Sequence, residues 1–174
     1  MEYTFLLRYR LPEGPGDVDE IVERLGESGC TDALVGIGVP GRVALEFTRE
    51  GDSAGDALLS AIRDVRPALP GARFVEAEPD LVGLTDAARL LGVSRQNLHK
   101  LMTRHPGTFP PPIHEGSTAI WHLSDLLEWL ESHQSYEVPT AMRQLAATAK
   151  QINLTRRIQD LEPGISKEVR DLIA

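Results

Sequence analysis

The apolar residues of this chain change period several times along its length, and each change fixes an element. Tyr3, Phe5, Leu7 and Tyr9 alternate with Thr4, Arg8 and Arg10, the period-two pattern of a half-buried strand. Leu11-Pro12-Glu13-Gly14-Pro15-Gly16 ends it with turn chemistry. Val18, Ile21, Val22 and Leu25 then recur at helical spacing, with Asp17 and Glu20 disposed like a capping box and Gly26 and Gly29 closing the helix. Alternation returns in Ala33, Val35, Ile37 and Val39 and again in Val43, Leu45 and Phe47, about a Pro40-Gly41 turn. Ser53 is placed to cap a helix carrying Leu58, Leu59, Ile62 and Val65, which Pro67, Pro70 and Gly71 stop. Ala72–Ala77 is a last, weaker strand. The order βαββαβ predicts a ferredoxin-like two-layer sandwich over residues 1–79.

Gly36-Ile37-Gly38-Val39-Pro40-Gly41 fits the string GxGxxG. A dinucleotide site needs a strand before that string and a helix after it. Here a strand follows, so a glycine-rich hairpin is the reading. Asp17, Asp19, Glu20 and Glu23 share a helix with an apolar opposite face and read as a solvated surface. Residues 76–80 read as a polar linker.

A different pattern opens at Leu84. Thr85 is expected to cap a helix over Asp86-Ala87-Ala88-Arg89-Leu90-Leu91, and Ser94 a second one from Arg95 to about Arg104. Ala88 is small enough for the second helix to approach the first. Gly92 permits a tight turn with positive φ. Leu91, Val93, Leu98 and Leu101 bury the seam. This is helix-turn-helix spacing. The second helix exposes Arg95, Gln96, Asn97, His99, Lys100, Thr103 and Arg104. Arginine reads guanine edges with two hydrogen bonds, and asparagine or glutamine reads adenine likewise. Ser94 at the helix start suits a phosphate. The prolines of Phe109-Pro110-Pro111-Pro112-Ile113-His114 predict an extended arm. Glu115-Gly116-Ser117-Thr118 turns it, and Ala119-Ile120-Trp121-His122 returns as a strand, making a wing. Ser124 is expected to cap a helix from Asp125 to Leu130. Trp121 and Trp129 fall on apolar periodic positions and are expected in the core.

On Leu84-Thr85, Leu91-Gly92-Val93-Ser94-Arg95, Leu98 to Met102, Phe109-Pro110-x-Pro112, Ile120-Trp121 and Ser124-Asp125-Leu126 to Trp129-Leu130, residues 84–131 resemble the AlpA/excisionase-type winged helix-turn-helix, a relative of the MerR DNA-binding domain. Members are small bacterial and phage regulators or recombination directionality factors. The resemblance implies that the helix from Ser94 enters the major groove, with Arg95, Gln96, Asn97 and Lys100 reading bases. Ser94, His99, Thr103 and Arg104 would fix the register. The wing, through His114, Ser117 and Thr118, would touch the backbone or minor groove. The chain departs from the family at the wing, which is usually basic. Here His114, Glu115 and His122 stand in those places. Histidines facing DNA would make binding pH-sensitive.

Charge follows the same division. Residues 1–80 hold 8 Lys and Arg against 16 Asp and Glu, residues 81–133 hold 4 against 5, and residues 134–174 hold 6 against 5. The whole net charge of −8 therefore lies in the first segment, which phosphate would repel. The reading segment offers Arg95, Lys100 and Arg104, with Arg89 as a fourth. Useful affinity usually takes about 6–10 phosphate contacts, so a dimer on a palindromic site is expected.

The last segment, 137–174, carries Pro139 at a helix start, then Met142, Leu145, Ala149 and Ile152, then Leu154, Ile158 and Leu161, with Pro163-Gly164 as its end. Ser166 is placed to cap a final helix with Val169, Leu172 and Ile173. Such a long helix exceeds what a domain of this size needs, so a dimerisation helix is expected. Docking on the chain's own first domain and binding of another protein are the alternatives. Arg156 and Arg157 would add phosphate contacts.

The fold class expected is α+β: the ferredoxin-like sandwich (1–79), the winged helix-turn-helix (81–134) and the helical extension (137–174). The function expected is a sequence-specific DNA-binding transcriptional regulator whose partners are double-stranded DNA and a second copy of itself. The rival is an antitoxin-like or adaptor protein whose first domain or last helix grips a protein. Ligand sensing by the first domain is a third reading. No enzyme is expected: the strings GxSxG, HExxH and GxxxxGK[ST] do not occur. No cofactor is expected, and no metal, since His99 and His105 do not share a helix face and Cys30 lies in the other domain. No membrane span or secretory signal is visible, and the single cysteine allows no internal disulfide. A cytoplasmic location is the simple expectation.

Overall fold

A computed structural model describes residues 1–12, 18–134, 136–161 and 163–173. It is a mixed α+β structure. A four-stranded antiparallel sheet is built from β1 (Glu2–Arg10), β2 (Ala33–Gly36), β3 (Arg42–Glu50) and β4 (Arg73–Glu78), in the order β2-β3-β1-β4. The helices α1 (Val18–Glu27) and α2 (Ala54–Ala68) connect them. Register follows the alternation: Phe5 faces Phe47, and Leu7 faces Leu45. These side chains all point to the helix-covered face and are buried together with Ile21, Leu25, Leu58 and Val65. The other face carries most of the sheet's charged residues. The expected capping box at Asp17 and the turn over Glu13–Gly16 lie outside the described residues. β2 is shorter than the alternation to Val39 predicted, because pairing with β3 stops at Gly36 opposite Ala44. Ser53 caps α2 as expected, its hydroxyl accepting from the Asp56 amide at 3.1 Å.

An ion cluster closes the helix side. Arg49 donates to Asp32 (2.7 and 2.9 Å) and to Asp64 (2.7 Å), with its guanidinium over the Phe47 ring. The guanidinium holds the Asp32 carboxyl below the usual carboxylate range. Burial pushes the nearby Cys30 thiol up to about 11, so it stays protonated.

Beyond β4 come β5 (Leu81–Val82), α3 (Leu84–Leu90), α4 (Arg95–Arg104), β6 (Trp121–His122), α5 (Leu123–Gln134), α6 (Thr140–Ile158) and α7 (Pro163–Ile173). A second core gathers Val82, Ala88, Leu98, Leu101, Phe109, Trp121, Leu126, Leu127, Trp129 and Leu130. Both tryptophans are buried, as their positions predicted. Three expected caps are corrected. Gly83 precedes α3 in place of Thr85, and α5 already includes Ser124. Proline at the first helical position starts α7, which places Ser166 inside that helix.

The segment 76–80 is a junction, not a free linker. Asp80 is only 2% exposed. His122 Nδ1 donates to Asp80 Oδ1 (2.6 Å), the direction a carboxylate acceptor requires. Asn153 of α6 donates to Asp80 Oδ2 (2.7 Å) and to the Ala77 carbonyl (2.9 Å), and accepts from the Ala77 amide (2.8 Å). β4 is an edge strand, and this one carboxamide replaces the missing neighbour at Ala77. The polarity of Asp80 thus serves burial with partners, which composition could not distinguish from solvation.

The face of α6 that suggested a partner helix is covered by the chain itself. Leu145 and Ala149 join the first core and Ala146 the second. Gln144 accepts from the Tyr3 hydroxyl (2.5 Å), and Lys150 donates to Asp125 (2.6 Å). α6 therefore wedges between both halves. Among the described residues, no helix is long and apolar enough to cross a membrane.

Candidate nucleic-acid interface

α3 ends where glycine is needed. Gly92 sits at φ +65°, and the Gly92 and Val93 amides donate back to Arg89 and Ala88 carbonyls at 3.2 and 2.9 Å. The chain reverses in three residues and reaches Ser94, whose hydroxyl accepts from the Asn97 amide (3.1 Å) as N-cap of α4. Ala88, 3% exposed, lies where its small side chain permits close approach; Leu98 and Leu101 are buried below. The expected boundaries of the second helix, Arg95 to Arg104, are those found.

The outward face of α4 brings together Ser94, Arg95, Gln96, His99, Lys100, Thr103 and Arg104, all exposed. Among the described residues, Arg95, Lys100 and Arg104 have no ion-pair partner. Two members differ from expectation. Asn97 is half-buried and donates to the Tyr136 hydroxyl at 2.9 Å, so its amide is engaged in anchoring the segment after α5. Thr103 turns its hydroxyl onto its own helix, donating to the carbonyls of His99 (3.1 Å) and Lys100 (3.0 Å). Its lone pairs remain, but a donor to phosphate does not. Arg89 is exposed and ion-paired with Asp86 one turn back.

The segment expected as a wing is a short irregular hairpin. The Ile113 amide donates to the Ile120 carbonyl (2.8 Å), and the Ile120 amide to the His114 carbonyl (3.0 Å). His114, Glu115, Ser117 and Thr118 are exposed along it. Leu81 and Val82 pair with His122 and Trp121 at its base. His122 is corrected: it is buried against Asp80 and does not face a groove. Sequence spacing placed it at the end of the returning strand, four residues past Thr118, but could not tell which side of the ribbon it took.

The five histidines thus divide by contact. His105 and His133 flank the Trp129 ring at 5.5 and 5.0 Å between centroids. His122 serves the junction. Only His99 and His114 are exposed near the candidate interface. Tyr136 went unnoticed in the sequence. The signal was an aromatic hydroxyl within a polar run, a side chain whose hydroxyl usually finds a partner when its ring is buried. Among the described residues no group of three or more His, Cys, Asp or Glu forms a metal cluster.

Comparison with protein families, curated proteins and solved structures finds no match for this chain.

Proposed function

We propose that this chain is a sequence-specific DNA-binding regulator of the AlpA/excisionase type, acting in the cytoplasm. The observation that carries the reading is the outward face of α4. A capped helix N-terminus is followed by Arg95, Gln96, His99, Lys100 and Arg104, exposed and held on a buried seam. A rigid element presenting unpaired donors suits base edges and phosphates. Arg95, Gln96 and Lys100 are the base readers; Ser94, His99 and Arg104 fix the register. Asn97 supports the helix through Tyr136. The hairpin at 113–120, with its exposed His114, Ser117 and Thr118, is the wing. The element order βαββαβ and the strand order β2-β3-β1-β4 support a ferredoxin-like first domain.

The complex is a homodimer on a palindromic operator. α7 supports this, because Ile165, Val169 and Leu172 are exposed at 60%, 43% and 78%, an apolar stripe left without cover. The same stripe favours the second reading, an adaptor or antitoxin-like protein gripping a different chain.

Fluorescence anisotropy on the native upstream duplex and on a scrambled duplex, between 50 and 300 mM salt, tests the reading, with roughly that range chosen to expose the phosphate term. Tight binding to the native duplex alone, weakened by Arg95→Ala, is expected. Equal, weak and salt-erased binding to both would overturn it in favour of the protein-contact reading.

A further inference from the structure

The uncovered face of the sheet has two ends of opposite charge. Glu2 and Glu50, paired across β1 and β3, mark one end. At the other, Arg10 pairs directly with Arg42 on one side and with Arg73 on the other. Three arginines therefore stand in one cross-strand row on β3, β1 and β4, and all three are exposed. Strands lie about 5 Å apart, so the outer two side chains start about 10 Å from each other. Like charges directly opposite one another oppose folding. Among the described residues none of the three has an ion-pair partner, although the first 80 residues hold 16 carboxylates. Arg8, one pair along, shows the alternative: it is neutralised by Glu76 and Glu78.

The row lines a cavity of ≈ 580 Å³. One wall is the glycine-rich connection between β2 and β3, through Gly36 and Gly38; Arg156 of α6, ion-paired with Asp160, and Glu76, paired with Arg8, reach the same cavity. That volume falls in the range of about 300–1,000 Å³ usual for small-molecule sites. We propose that the Arg42–Arg10–Arg73 row is a binding site for a small anion carrying two or more phosphate or carboxylate groups. Two such groups bridge neighbouring guanidiniums and neutralise a repulsion that the free protein bears. A duplex fits poorly, since Glu46 and Glu78 stand on the same face and repel a long polyanion, whereas a compact anion ends before them. This site is independent of the α4 interface.

Titration calorimetry and thermal unfolding of the full chain test it. Sodium pyrophosphate and citrate are the probes, with sodium chloride at matched ionic strength. Saturable binding of either at one site per chain, absent with chloride, is expected; pyrophosphate alone would assign a phosphate ligand and citrate alone a carboxylate one. Arg10→Gln is expected to weaken that binding about tenfold and, without anion, to raise Tm by about 1–2 °C by relieving the row. Arg66→Gln, an exposed arginine on α2, should leave binding unchanged. Saturable binding of neither probe overturns the proposal, as does equal binding in the Arg10→Gln protein. If Arg10→Gln instead lowers the salt slope on scrambled duplex while pyrophosphate goes unbound, the row is a DNA contact and the small-anion site is wrong.

Discussion

The junction around Asp80 and the outward face of α4 both gather polar side chains, to opposite ends. At the junction His122 and Asn153 each hydrogen-bond Asp80, and Asn153 also bonds the strand edge at Ala77, all three nearly buried. On α4, Arg95, Gln96, His99, Lys100 and Arg104 stand in solvent. A buried polar group is favoured to find its partner within the chain, because an orphan there costs about 1–3 kcal/mol. A polar group in water carries no such demand and is free for a ligand. Satisfaction, more than residue identity, separates the structural set from the functional one. Arg49 and Arg10 repeat the contrast on the two faces of one sheet.

Substitutions break that contrast by degrees. Asp80→Ala is expected to have the largest effect. It strands the His122 ring nitrogen and the Asn153 amide, costing about 3–5 kcal/mol in chemical denaturation, with DNA affinity falling only as the folded fraction falls. Arg49→Met follows, at about 2–3 kcal/mol at neutral pH, because Asp32 and Asp64 lose their shared donor. Its pH dependence has a definite sign. Arg49 lowers the folded-state pKa of Asp32, so the gain is present above the unfolded carboxylate value and fades as pH falls through the lower folded one. Wild type should therefore lose part of its advantage over Arg49→Met below about pH 4, measured as the difference in unfolding free energy against pH. Arg95→Ala should reverse the pattern: stability within about 0.5 kcal/mol of wild type, but binding to the native duplex weakened by about 1–3 kcal/mol. An Arg95→Ala protein that unfolds early would place Arg95 with the structural set. Tyr136→Phe gives the smallest change, about 0.5–1 kcal/mol in stability, with base preference unaltered. A shift in preference would return Asn97 to the readers.

Local periodicity carried the element order of the four-stranded sheet and its helices, the sheet faces, both tryptophans and the limits of α4, since each depends on neighbours in the chain. Gly92 was legible because a reversal between two helices leaves few alternatives to positive φ. What escaped depends on pairing across the chain. Arg8 and Arg10 were visible as the outward residues of β1, but the row with Arg42 and Arg73 exists only once register is fixed. The apolar face of α6 was legible, its occupant was not: Leu145 and Ala149 match the first core as well as any second copy. His122 and Asp80 lie 42 positions apart, and no spacing rule joins them.

The Asn153 carboxamide on Ala77 spans 76 residues of sequence, and this gives synthesis a direction. A ribosome working at about 5–20 residues per second completes β4 several seconds before the residue that seals its outer edge is made. Throughout that interval the β4 flank of the nascent sheet is open at Ala77. Newly made chains crowded on one message would be most prone to join edge to edge in that window, and truncation before Asn153 would make the window permanent.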